Sequence, residues 1–329
     1  MISLTRRRFG ATAAVGLLGV LAACSSAESG TEDALDKKTR EIEDNSGKVT
    51  VPTSPTSVVA TDNRTFESLQ SWGIELSAAA VALMPSTNPY TKDDSIVDLG
   101  NHREPDLESV VAVEPDLIVN GQRFSQYREK FEELAPDAAI IDLDPREDKP
   151  FDEELKRQTT VLGQIFGKEK EAKKLTDAFD ASVDRARKAY DKDATVLSVI
   201  VSGGEIGYVA PTVGRTLGPV HDILELTPAL EVKNSDDDHE GDDISVEAIA
   251  KANPDWLLVM DRDAAINADD PSYEKASSVL EASQALTGVS AVQKGNIVYM
   301  PADTYTNESI QTYTEFFESV ADAFEGSGN

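Results

Sequence analysis

The sequence predicts an α/β protein: two Rossmann-like lobes with central parallel sheets, joined by a long rigid α-helix. Three observations carry that expectation. The stretch from Leu107 to Arg123 recurs in register from Val246 to Arg262, with Glu, Pro, Asp and Arg repeated at one offset of 139 residues (247 minus 108, 262 minus 123). Each copy reads as an amphipathic helix start, a Pro-Asp turn, then a buried apolar strand ending at an arginine. Residues 151–190 contain no proline and place Leu155, Leu162, Ile165, Leu175, Phe179, Val183 and Ala186 at helical spacing, a strut of one helix or a helix pair. Finally, the chain without its first 23 residues has 306 (329 minus 23), beyond the ~250–300 at which a single core stops growing.

Residues 1–23 form an export signal with basic Arg6, Arg7 and Arg8, an apolar stretch from Ala11 to Ala22, and Leu21-Ala22-Ala23-Cys24 in the small-residue pattern of a lipoprotein cleavage box. Cys24 is the only cysteine, so an internal disulfide is excluded and lipid modification is its expected use. Thr5-Arg6-Arg7-Arg8-Phe9 also looks like a twin-arginine signal. Residues 24–48 are polar and without apolar period, a flexible tether. No later stretch approaches the roughly 20 apolar residues of a spanning helix. The mature body is therefore expected at the outer face of the cell membrane, held there by lipidated Cys24 alone.

The first lobe, 49–150, opens with short strands at Val49–Thr53 and Val58–Thr61. A helix follows with Phe66, Leu69 and Trp72 on one face, then the first repeat copy, a helix from about Ser125 to Leu134 and a strand from Ala138 to Leu143. The second lobe, 191–329, begins with the strand Thr195–Val201. It continues through a loop to Arg215, a helix from about Leu217, an acidic loop containing His239, the second repeat copy, a helix near Tyr273–Ala282, the strand Asn296–Met300 and a C-terminal helix from about Glu308. Matched lobes argue for duplication.

Formal charge is −29, and loss of the three signal arginines takes it to −32, which excludes nucleic acid and anionic lipid as partners. Against that field, arginines at the mouths of a cleft stand out. Ligands of open parallel sheets sit beyond the carboxyl ends of the strands, where the repeat places Arg123 and Arg262, with Arg215, His239 and Tyr305 on neighbouring loops. Guanidinium offers a fixed fork of donors to oxygen anions. The alternative is that each arginine pairs with a nearby acid, such as Arg262 with Asp261 or Asp263. A histidine in a hydrophilic loop is ordinarily a solvated side chain, and Tyr305 can equally be packing. With three histidines and no metal-ligand spacing, a catalytic zinc site is not expected. No Gly-x-Ser-x-Gly, Walker loop or Gly-x-Gly-x-x-Gly is present, so there is no positive case for a hydrolase, an NTPase or a dinucleotide enzyme.

From about Val49 to Phe324 the chain resembles the class III substrate-binding lipoproteins of ABC importers, in their ferric catecholate siderophore branch. The matching residues are Gly214-Arg215, Gly218-Pro-Val-His221-Asp222, His239 ahead of Ile244-Ser245-Val-Glu247, Asn253-Pro254-Asp255 and Val259-Met-Asp261-Arg262. Arg123 ahead of Tyr127 and Glu133-Leu134-Ala135-Pro136 match in the first lobe. Thr216 is an extra residue against that pattern, the His239 loop is one residue longer, and Tyr305 lies one position off, where Thr306 would fall. The resemblance implies that Arg123, Arg215 and Arg262 bind catecholate oxygens and that His239 and Tyr305 complete the iron coordination. It also implies that Glu108 and Glu247 dock on the importer permease; the alternative for each is a first-turn glutamate favoured by the helix dipole. A monomeric, non-catalytic receptor is implied, with no permanently bound cofactor and ferric iron arriving as a siderophore complex. Alternatives on the same fold are haem, cobalamin or another siderophore class as ligand, or an extracytoplasmic metal-centre enzyme, sensor or adhesin.

Overall fold

Short β-rich runs closed by Pro-Asp or glycine turns build two five-stranded sheets and one two-stranded hairpin among the described residues. The computed structural model describes residues 38–327 apart from 101, 102, 234, 236 and 243. The export signal 1–23, Cys24 and most of the 24–48 tether lie outside the described residues. The last part of that tether is strand: β1 (Thr39–Asp44) pairs antiparallel with β2 (Gly47–Pro52), turning at Gly47 with φ +114°. Ile42 and Asp44 point inward on alternate residues, and Arg128 Nη1 meets the buried Asp44 carboxylate at 3.2 Å.

The first-lobe sheet contains β3 (Val58–Ala60), β4 (Ala78–Ala79), β5 (Val97–Asp98), β6 (Leu117–Asn120) and β7 (Ala139–Asp142), all parallel in the order β5-β4-β3-β6-β7. The second contains β8 (Thr195–Ser202), β9 (Glu205–Val209), β10 (Thr227–Pro228), β11 (Trp256–Asp261) and β12 (Ile297–Tyr299). Its parallel order is β10-β8-β11-β12, with β9 antiparallel on β8. Near-complete burial of β3, β6, β8 and β11 matches parallel strands covered on both faces.

The repeat is visible in the register. β6 lies between β3 and β7 as β11 lies between β8 and β12. In each copy the Pro-Asp turn fastens the neighbouring strand: Asp116 accepts from the backbone N–H groups of Thr56 (2.9 Å) and Ser57 (3.1 Å), and Asp255 accepts from that of Thr195 (3.0 Å).

Of the two forms expected for the strut, the connector is the helix pair, Phe151–Phe166 and Glu169–Ala189, rather than the single long helix. Gly167 stops the first in the left-handed region at φ +63°. The two pack so closely that a Cβ on Gly163 would stand 2.5 Å from the Ala172 methyl. Leu162, Ile165 and Ala172 belong to the first-lobe core, whereas Leu155, Phe179 and Val183 belong to the second. Each core also holds one of the chain's two tryptophans, Trp72 and Trp256. Among the described residues no helix is long and apolar enough to cross a membrane.

Candidate functional site

Parallel strands aim their carboxyl ends at one face, and the loops leaving that face carry the candidate residues. Asp261 ends β11 and caps the short helix Arg262–Ile266, accepting from the Ala264 N–H at 3.0 Å while also holding the Tyr273 hydroxyl at 2.9 Å. Arg262 therefore leaves the strand end in a fixed direction. Its Nη1 donates to Ser202 Oγ at 2.8 Å at the end of β8, with Glu240 at 3.7 Å and Asp263 at 3.8 Å. Its Nε is buried without a hydrogen-bond partner among the described residues. Such an orphan donor is costly unless something arrives to accept from it.

Tyr305 sits in the one-turn helix Thr304–Thr306, 8% exposed. The guanidinium carbons of Arg215 and Arg262 stand over its ring at 4.9 and 5.0 Å from the centroid, within cation–π range. One ring thus gathers two of the three predicted arginines. His239 joins them at one remove: its Nε2 lies 3.9 Å from Glu240 Oε1, the same oxygen that faces Arg262. The imidazole itself is about half exposed. Arg123 stands apart. It is exposed in the 3₁₀ helix Gln122–Tyr127 after β6, and its guanidinium makes no ion pair among the described residues.

A cleft of about 1040 Å³ opens between the lobes, bounded by Arg64, Gln122 and Pro145 on the first, Phe151 at the connector, and Gly214–Thr216 and Glu308 on the second. Of the five predicted residues Arg215 alone lines it. Its walls carry both signs of charge, Glu147 and Asp222 as well as Arg146 and Arg187.

At its floor lies a network that sequence reasoning missed. Arg64 Nη2 meets Glu308 Oε2 at 2.9 Å and its Nη1 lies 3.7 Å from Asp144, with side chains 15% and 6% exposed for the Arg64–Glu308 pair. Glu308 Oε1 accepts from Thr216 Oγ1 at 2.5 Å and lies 3.6 Å from Arg215 Nε. Burial pushes the Glu308 carboxyl up, but Arg64, then Arg215 and Thr216, outweigh it and hold it below the usual carboxylate range. Beside them, burial and then the charge of Asp144 push Asp62 up to about 8; Gln158 Nε2 donates to it at 2.8 Å. The signal for Arg64 was available, since it follows β3 as Arg123 and Arg262 follow β6 and β11. Neighbouring bonds fasten the same seam: Asn63 Nδ2 to the Thr306 carbonyl (3.2 Å) and Ser309 Oγ to Glu67 (2.7 Å).

The two glutamates of the repeat occupy matching first turns. Glu108 follows the Asp106 cap of helix Leu107–Ala112, and Glu247 follows the Ser245 cap of helix Val246–Ala252; both are exposed. No group of three or more metal-ligating side chains occurs among the described residues.

Fixed cations at a cleft between two α/β lobes define a substrate-binding protein of the two-lobed kind. The chain belongs to the periplasmic binding protein family, whose pattern it matches over residues 58–304. It is similar to the petrobactin-binding protein YclQ of Bacillus subtilis, 27% identical over 316 residues, covering 93% of this chain and 95% of that one. The ferric-anguibactin-binding protein FatB of Vibrio anguillarum is 25% identical over 293 residues, 86% and 87% of the two chains. The crystal structure of YclQ matches with a TM-score of 0.75 over 88% of this chain and 99% of that one, at 27% identity. The catecholate-siderophore binding protein VctP of Vibrio cholerae shares the fold, with a TM-score of 0.73 at 24% identity over 88% and 100%. These relatives are binding proteins, and this chain is likewise a binding protein and not an enzyme.

Proposed function

We propose that the protein captures an anionic ferric siderophore of the catecholate type between its lobes and delivers it to the permease of an ABC importer. The observation that carries this is the pair of guanidinium groups gathered on the Tyr305 ring, one with a buried, unpartnered Nε. Two cations held together in a shielded place repel each other, and an oxygen anion relieves that repulsion while accepting the orphan N–H. A ferric catecholate complex is anionic, and its flat rings match guanidinium planes. YclQ is named for binding petrobactin and FatB for binding ferric anguibactin, and the second name supports a ferric complex as the ligand.

In this reading Arg215 and Arg262 hold the ligand from the second lobe, and Arg123, exposed and without an ion pair among the described residues, reaches it from the first. His239 is placed on a solvent-exposed loop from which an imidazole can take an open iron position. For Tyr305 we assign the role of platform for the arginines in place of the iron ligation expected from sequence. Glu108 and Glu247, exposed at equivalent first turns, are the permease contacts, and Cys24 carries the lipid that tethers a monomer to the outer face of the membrane.

The test is a titration of the soluble fragment beginning at Ser25, followed by tryptophan fluorescence, with ferric bis- and tris-catecholates, a ferric hydroxamate, haemin and cobalamin. Saturable quenching selective for the catecholates, weakened at least tenfold in Arg262→Ala, is the expected result. Binding of haemin or cobalamin alone would overturn the site assignment while leaving the family intact.

A further inference from the structure

Glu308 is out of place in a site built to receive an anion. Its carboxylate is buried beside Arg215, one of the two cations gathered for the ligand, and it faces the same cleft. Two partners restrain it. Arg64 takes Oε2 at 2.9 Å, and the Thr216 hydroxyl takes Oε1 at 2.5 Å, leaving Arg215 Nε 3.6 Å from that same oxygen, inside ion-pair reach but beyond a hydrogen bond.

Thr216 is held unusually to do this. Its φ is +62°, in the left-handed region that a β-branched residue rarely adopts, and its carbonyl is fixed by the Tyr313 hydroxyl at 3.0 Å. Strained backbone of this kind persists where surrounding contacts over-determine it and often marks function. Here it delivers one hydroxyl to one carboxylate oxygen.

We propose that Glu308 is a specificity-determining residue: a built-in counter-charge, held by Arg64 and Thr216 just short of a hydrogen bond to Arg215, that partly masks this arginine and so sets how much ligand charge the cleft demands. A strongly anionic complex outcompetes Glu308 for Arg215; a neutral one gains nothing by doing so. The inference rests on the reading of Arg215 as a ligand-binding residue.

The experiment measures dissociation constants for an anionic ferric tris-catecholate and for neutral ferric tris(acetohydroxamate), using the wild type, Arg215→Ala, Glu308→Gln, the double variant and Thr216→Gly. Loss of the carboxylate charge tightens the tris-catecholate by roughly tenfold or more and leaves the neutral complex unchanged, and the gain disappears when Arg215 is also alanine. Thr216→Gly suits the backbone, removes the hydroxyl that restrains Oε1, and weakens the tris-catecholate by roughly threefold. Equal or weaker binding by folded Glu308→Gln, or a gain that survives Arg215→Ala undiminished, overturns the proposal. If Glu308→Gln loses the native circular dichroism, Thr216→Gly decides, and unchanged or tighter binding there is fatal to it. If Arg215→Ala alone binds the tris-catecholate as well as the wild type, the reading of Arg215 falls, and the inference with it; if Arg215→Ala weakens binding and the Glu308 variants fail, only the inference falls.

Discussion

Arg64 and Glu308 form a buried ion pair across the lobe seam, Nη2 to Oε2 at 2.9 Å, between residues 244 positions apart in the chain. Removing one partner of such a pair leaves the other charge uncompensated. Arg64→Ala is expected to cost roughly 3–5 kcal/mol, read as a lower midpoint in urea with an unchanged slope. A loss below 1 kcal/mol would mean that Arg215 closes on Glu308 and neutralises it.

Tyr305 separates two roles by a conservative change. Tyr305→Phe keeps the ring under Arg215 and Arg262 and is expected to leave tris-catecholate affinity within about twofold. Tyr305→Leu removes two cation–π contacts worth roughly 0.5–2 kcal/mol each and should weaken binding roughly fivefold or more. Loss of a charge-transfer band in Tyr305→Phe would make the phenol an iron ligand after all.

Two buried groups give stability opposite slopes with pH. Burial pushes His221 down to about 4; its Nε2 shares a 2.9 Å hydrogen bond with Ser198 Oγ, and its Nδ1 has no partner among the described residues. The unfolded chain therefore binds the extra proton as pH falls from about 6.5 to 4, and stability is lost through that window. Asp62, raised to about 8 by burial and Asp144, keeps its proton in the folded state, so its contribution is lost as pH rises from about 4 to 8. Thermal melts between pH 4 and 8.5 should show the acid-side loss flattened in His221→Gln and the alkaline-side loss flattened in Asp62→Asn, whatever each variant does to overall stability.

Gly207 in β9 lies directly beneath the His239 loop, where an added Cβ would stand 2.0 Å from the Glu240 carbonyl oxygen. Gly207→Ala must push that loop outward, costing about 1–3 kcal/mol. Because Glu240 faces both His239 and Arg262, ligand affinity should fall with it. Unaltered affinity would detach this loop from the site.

The repeat was the most legible part of the fold because its apolar strands, Leu117–Asn120 and Trp256–Asp261, announce themselves by composition. Strands of two residues, such as Ala78–Ala79 and Thr227–Pro228, have no period to read and exist only through their neighbours. The hairpin of β1 and β2 was hidden by charge: Arg40, Glu41 and Glu43 make Thr39–Asp44 look solvated, although Ile42 alternates inward and Asn45-Ser46-Gly47 is a turn signal. In the site, Arg215 and Arg262 came together on Tyr305, whereas Arg123 stood apart. Glu308 was read only as the start of a helix, which in fact begins at Ile310. Its partner lies in the other lobe, and no local pattern encodes a contact across that span.

The connector threads both hydrophobic cores, so the duplicated halves no longer have separate boundaries. A fragment ending at residue 150 would leave the first core without Leu162, Ile165 and Ala172, and one beginning at residue 191 would leave the second without Leu155, Phe179 and Val183. The two lobes are therefore expected to melt as a single cooperative body: Trp72 and Trp256, one in each core, should report one common midpoint.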